Sequence, residues 1–270
     1  MAHPWFTMRV ACHQLRRRLD WALHPRPWAV EHCSAPTDFP AVASEKTSPL
    51  KRAPDGAIAS YSEEKEQNLR IAARLVDGLL IKPGEVFSFC RTVGKTTRRQ
   101  GYLPALELLE GQLQPEVGGG LCQMANLLFL LAVEANAEII ERHRHSYDLF
   151  RDVGRTVPFG CGATVYYNYI DFQFRNTLPT PLLLQVAVEP PVLRATLRTA
   201  EPLPFVASIE ETDHHFFRRA GDIYRANKLW RVVQWQDSRP TTRELLFENE
   251  CRVHYPADDL VPAESEAANG

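Results

Sequence analysis

Gly118-Gly119-Gly120-Leu121-Cys122-Gln123 runs straight into residues 124–137, an apolar stretch long enough for a buried helix. Glycines let a backbone come close to a ligand, and a helix start offers unpaired N–H groups and the positive end of its dipole. A thiol standing there is set up to ionise near neutral pH. Cys122 is therefore the candidate nucleophile, with Gly118, Gly119 and Gly120 as a cradle and the N–H groups around Gly120 to Gln123 as oxyanion donors. Gln123, directly after the thiol, is a candidate for a substrate carbonyl. In the alternative, the glycines form a tight turn and the cysteine fills core space.

Outward from this turn the pattern is mixed. Ser60 with Glu63 makes a capping box, followed at helical spacing by Leu69, Ala72, Ala73, Val76, Leu79 and Leu80, with a stop expected at Lys82-Pro83-Gly84. Residues 86–89 alternate like a short strand, and residues 91–101 form a basic polar loop. Residues 139–147, 164–174, 182–188 and 192–198 read as strands, the last two pairing back across Pro190-Pro191. Residues 223–236 and 244–255 are strand-like in part. The expectation is an α+β fold in which a buried central helix, begun at the Gly-Gly-Gly-Leu-Cys turn, packs on an antiparallel sheet.

The chain has 270 residues, ordinary globular composition (44% hydrophobic, 24% charged) and a formal charge of −2. That balance gives no general attraction to nucleic acid or to an anionic membrane. Residues 1–57 read as a basic N-terminal arm and a Pro-rich linker, 58–200 as the core domain, 201–256 as its C-terminal extension, and 257–270 as an acidic disordered tail. The six cysteines are scattered without CxxC or zinc spacing, and no apolar run serves as a secretory segment or spans a bilayer. The expectation is a cytoplasmic protein with no stable membrane insertion. No cofactor is expected.

Glu141-Arg142-His143-Arg144-His145-Ser146-Tyr147-Asp148 follows the helix. On a strand, His143 and His145 share one face and Arg142 and Arg144 the other. A cysteine nucleophile needs an imidazole to manage its proton, and the imidazole needs a carboxylate to orient it. Asp171 is the candidate orienter, with Asp148 second. This order of groups matches papain-like and transglutaminase-like enzymes in logic only. His143-x-His145 as a metal half-site lacks a third ligand apart from distant His214 and His215. Gly160-Cys161-Gly162 marks a bulge or a close backbone approach.

The stretches 82–89, Val93-Gly94, Gly101-Tyr102, 118–123, 142–147 and 162–165 together resemble the VanW family, named for a gene in vancomycin-resistance clusters. Tyr167 to Asp171 and Tyr224 to Arg231 look like the short, stand-alone members, so the likeness covers roughly residues 50–255. Some secreted relatives are understood as cysteine-dependent L,D-transpeptidases that cross-link peptidoglycan stem peptides. The resemblance implies Cys122 as the acylated nucleophile, His145 or His143 as base, and Arg142 and Tyr147 within the histidine motif that meets the ligand. It implies an L,D-transpeptidase-like or amidase-like acyl transfer on a cell-wall-related peptide. The opposing implication is an accessory protein that binds peptidoglycan precursors or serves the response to glycopeptide antibiotics.

Overall fold

A computed structural model describes residues 4–51, 61–109, 112–144, 147–148, 151–152 and 156–261. The fold is α+β, with four α-helices and fourteen strands among these residues. Contacts divide the chain into two units, residues 1–143 with 162–203 and residues 144–161 with 204–270.

The first unit is built on a five-stranded sheet. Its order is β1 (Glu31–His32), β3 (Leu79–Ile81), β10 (Leu182–Glu189), β11 (Val192–Thr199) and β2 (Ala41–Pro49), all antiparallel. β10 and β11 form the hairpin that alternation predicts, turning at Pro190-Pro191 with Glu189 opposite Val192. β2 lies in the stretch whose prolines suggested a linker. Its alternating side chains and its pairing with β11 outweigh that composition. Helix α2 (Ser62–Val76) packs its apolar stripe of Leu69, Ala72, Ala73 and Val76 toward β10. It stops earlier than the sequence suggested, because Asp77 leaves the helix with extended backbone and Gly78 takes φ +79. Leu79 and Leu80 then belong to β3. The N-cap position is Tyr61, and Ser60 of the expected capping box lies outside the described residues.

Helix α4 (Cys122–Glu134) is the core of this unit. Met124, Ala125 and every residue from Leu127 to Val133 are buried, and the helix packs against β2, β11 and β7 (Glu138–Glu141). A helix apolar all round has to sit between layers. β7 joins a three-stranded sheet with β9 (Gln173–Arg175) and β4 (Val86–Ser88), where Phe87, Phe172 and Phe174 cluster with Phe129 of α4. β4 leads into the short α3 (Phe89–Val93), capped by Ser88 Oγ, which accepts from Arg91 N. β5 (Pro104–Leu109) and β6 (Gln112–Val117) make a separate hairpin. Helix α1 (Pro4–Leu23) completes the unit.

One expectation about the sheet needs correcting. The strand expected over 139–147 ends at Glu141, so His143 stands beyond it in irregular chain, where its carbonyl accepts from Thr164 N. Asp171 likewise precedes β9 and is not part of a strand. The charged run 141–144 lacks the apolar partners that would hold it in a sheet, and the register shifts between Ile139 and Glu141.

The second unit is a long antiparallel meander of β12 (Phe205–Arg219), β13 (Asp222–Trp235) and β14 (Thr242–Val253), with β8 (Tyr147–Asp148) parallel to β14 at its edge. On one face of β13, Arg225, Asn227, Leu229, Arg231 and Val233 are buried in strict alternation. Arg225 is the hub. It donates to Asp148 and Asp152 at 3.0 Å and to His214 Nε2 at 2.7 Å, and lies over the Phe159 ring. His214 and Arg225 therefore tie this sheet to Asp148 and Asp152, and Asn227 adds bonds to Phe159 O and Glu211. Gly160 fits against Asn249, which leaves no room for a Cβ.

Candidate functional site

The triglycine segment is a turn between β6 and α4, and the packing around it explains its glycines. Gly118 takes φ +87, and a Cβ on it would stand 2.5 Å from Cβ of Thr96. At Gly119 a Cβ would lie 2.0 Å from the Ala105 carbonyl oxygen, a backbone atom that cannot swing aside. The turn is thus pressed against the β5–β6 hairpin. Gly118 N donates to Leu103 O at 3.0 Å and Gly119 N to Glu116 O at 2.9 Å.

These bonds decide which N–H groups remain. Gln123 N donates to Gly120 O and Met124 N to Leu121 O, closing the first turn of α4. Among the described residues, no backbone carbonyl accepts from the N–H groups of Gly120 and Leu121 in this turn. Gln123 Nε2 donates to Ser48 Oγ and to Pro49 O, both at 2.8 Å, pinning the helix start to β2.

Beside this turn lies a cavity of about 230 Å³, entirely within the first unit. Gly118 and Leu121 wall one side, Val165 and Tyr166 another, and Glu107 and Glu116 of the hairpin a third. Glu107 faces Gln114, and Ala105 faces Glu116, so the two glutamates are diagonal neighbours on one hairpin face. Burial, and then the proximity of Glu116, push the Glu107 carboxyl up to about 7.

Cys122 is partly exposed, and its thiol donates to Val165 O at 3.8 Å. The dense surroundings of the sulfur, followed by the charge of Glu107, push the thiol up to about 12. This runs opposite to the thiolate that a helix start alone suggests. Desolvation and a nearby carboxylate outweigh the dipole. Cys90 lines the cavity but is a structural thiol: it is buried, donates to Ile170 O at 3.5 Å and accepts from Asn168 N at 3.4 Å. Burial pushes it up as well.

The remaining sequence candidates separate. His145 lies outside the described residues. His143 is half exposed and sits 3.3 Å from Glu141 Oε1. Burial alone would raise Glu141, but hydrogen bonds from His143 and Arg17 hold it down to about 2. Arg142 donates to Gly162 O at 2.7 Å and lies over the Phe129 ring. Tyr147 belongs to β8 in the second unit, where its ring meets His254. Asp171 is fully buried and accepts from Ser88 Oγ (2.6 Å), Cys90 N (2.8 Å) and Gln173 Nε2 (2.8 Å), with Arg17 at 3.8 Å. It fastens β4 and α3 to the start of β9.

Glu107 and Glu116 were not singled out from the sequence. Their signal was the alternation of residues 104–109 and 112–117 around Glu110-Gly111, which marks a hairpin and puts both acids on one side. Gly162 does what a close-approach glycine should: Asn126 Oδ1 accepts from Ala163 N at 2.8 Å, and a Cβ on Gly162 would collide with that oxygen at 2.4 Å. Among the described residues no group of His, Cys, Asp and Glu side chains is arranged to hold a metal ion.

Residues 64–198 match the family described as VanW like protein. The chain is 31% identical over 202 residues to the vancomycin B-type resistance protein VanW of Enterococcus faecalis, covering 74% of each chain. It is 31% identical over 154 residues to the uncharacterized protein YoaR of Bacillus subtilis, covering 54% of this chain and 48% of YoaR. No solved structure matches the chain at a significant level.

Proposed function

The chain belongs to the VanW-like family, and from that membership we propose that it carries out cysteine-dependent acyl transfer on a cell-wall-related peptide. A relative named a vancomycin B-type resistance protein motivates that substrate class. The observation that carries the reading is the close approach of Gly119 to the Ala105 carbonyl, which seats the turn before Cys122, the first residue of α4, on the hairpin that carries Glu107, whose carboxyl is pushed up to about 7. A carboxyl near neutrality is matched to moving a proton at physiological pH.

In the proposed reaction Cys122 Sγ bonds to the peptide carbonyl carbon as its proton passes to Glu107. The oxyanion takes the N–H groups of Gly120 and Leu121. Glu107 returns the proton to the leaving amine as the C–N bond breaks. An acceptor amine or water then attacks the thioester, the C–S bond breaks, and the thiol regains a proton. In the resting site the thiol is protonated, so ligand binding has to set the proton transfer in motion.

The raised thiol also favours a second reading, binding of a wall precursor in the cavity without chemistry. Intact-mass spectrometry after incubation with a peptidoglycan stem peptide separates them. An adduct of the acyl mass on Cys122, released by hydroxylamine and absent from Cys122→Ser, supports the enzyme. Calorimetric binding of equal strength by both proteins, with no adduct, supports the accessory reading and overturns the first.

A further inference from the structure

Helix α1 is amphipathic in the wrong sense for a helix that only completes a core. Its inner face is already docked. Gln14 Nε2 donates to Tyr167 O at 2.9 Å, Arg17 forks onto both oxygens of Glu141, Val10 is buried, and Trp21 meets Trp28 with Arg91 over both rings. These residues repeat at intervals of three and four along one side. On the opposite side, Met8, Leu15, Leu19 and Leu23 are 53, 59, 52 and 71% exposed, with Cys12 exposed between them. Positions 8, 12, 15, 19 and 23 fall on one stripe of an α-helix, about 22 Å long at the helical rise. Leu, Met and Trp anchors on a buried face are ordinary, whereas four large apolar side chains aligned in water mark an interaction surface.

The charge around the stripe points to its occupant. Arg16 flanks it on one side and Arg18 on the other, and among the described residues neither has an ion pair. The one acid of the helix, Asp20, lies off the stripe beside His24 and Arg26. A second copy pairing symmetrically through this stripe would bring equivalent arginines together, which disfavours self-association. An anionic surface into which leucines can sink and over which arginines can spread satisfies both features.

We propose that the outward face of α1 is an interfacial membrane-binding surface that lies flat on anionic lipid, with Met8, Leu15, Leu19 and Leu23 in the acyl region and Arg16 and Arg18 at the headgroups. No helix among the described residues is long and apolar enough to cross a membrane, so the attachment is in the plane of the interface and not through it. Gln14, on the inner face of the same helix, lines the cavity beside Cys122, which sets that cavity about one helix diameter from the lipid.

The test is co-sedimentation of the full chain with vesicles of phosphatidylglycerol and phosphatidylcholine, against phosphatidylcholine alone. The protein is expected to pellet with the anionic vesicles and to be released as salt rises. Arg16→Gln with Arg18→Gln should weaken the partition about thirty-fold at low salt. Leu15→Asn with Leu19→Asn should bring it to the phosphatidylcholine level with an unchanged circular dichroism spectrum. A measurement that keeps Met8, Leu15, Leu19 and Leu23 in place puts an environment-sensitive dye on Cys12, within the stripe, in the Cys33→Ser, Cys161→Ser protein: its emission should shift to the blue only with anionic vesicles. The proposal is overturned if the wild-type chain stays in the supernatant, if the asparagine variant still pellets, or if the dye does not respond. It is equally overturned if light scattering shows a dimer that Leu15→Asn with Leu19→Asn dissociates, since a second copy would then be the occupant.

Discussion

Gly119 and the Ala105 carbonyl approach so closely that a Cβ on the glycine would stand 2.0 Å from the oxygen. The contact presses the turn before Cys122 onto the hairpin that carries Glu107 and Glu116, so the backbone itself sets the distance between thiol and carboxyl. Gly119→Ala must push the turn away from β5. We expect it to cost about 3 kcal/mol of stability, the upper range for overpacking, because a backbone atom cannot rotate clear. Urea denaturation of the two proteins measures the loss, and an unchanged midpoint would show that the turn is not held against the hairpin.

Glu107 makes a pH-dependent stability prediction. Its carboxyl is raised from 4.5 to about 7 by burial and then by Glu116. The folded state therefore keeps a proton that the unfolded chain releases, and stability falls as pH rises from about 4.5 to 7. Glu107→Gln removes this penalty. The variant should match the wild type at pH 4.5 and exceed it above pH 7, by at most about 3 kcal/mol. Thermal unfolding at pH 4.5 and 8 checks the crossover; a constant difference at both values would mean that Glu107 titrates normally.

In the second unit, Arg225 is buried among Asp148, Asp152 and His214. Arg225→Met keeps the bulk but strands the buried Asp148 carboxylate without its cation. Breaking such a pair from one side costs about 3–5 kcal/mol. Hydrogen exchange should show β8 and β13 losing protection while α4 keeps its own. Equal loss in both would show that the two units unfold together.

What the sequence made legible follows from where apolar side chains point. Helix α4 was readable because it is buried on every side, and β10–β11 because two alternating runs flank Pro190-Pro191. Helix α1 was not, because its inner face docks through Gln14, Arg17 and Trp21, with hydrogen bonds and stacking in place of an apolar stripe, while its leucines face outward. The partners of Asp171 are hidden from the sequence for a related reason. An acid near a histidine motif suggests an orienter, but only the fold reveals that Ser88, Cys90 and Gln173 occupy its oxygens. Glu107 was missed because a glutamate on a short strand looks like solvent-facing charge until the hairpin is folded over the glycine turn.

The thiols themselves provide the sharpest discrimination. A nucleophile held as thiolate would react first among the six cysteines, yet Cys122 is pushed up to about 12 by burial and by Glu107. At pH 8 without ligand its thiolate fraction should lie on the order of a thousand-fold below that of a free cysteine. Iodoacetamide should therefore label the exposed Cys12 first and Cys122 slowly. Glu107→Gln removes the neighbouring negative charge and should accelerate labelling of Cys122 at pH 8 without changing that of Cys12. A bound stem peptide that delivers its carbonyl to the turn should protect Cys122 by forming the thioester. Peptide mapping of the alkylated protein gives the order directly. If Cys122 in the free protein labels as fast as Cys12, or if Glu107→Gln leaves its rate unchanged, the carboxyl does not govern the thiol and the proposed proton transfer fails.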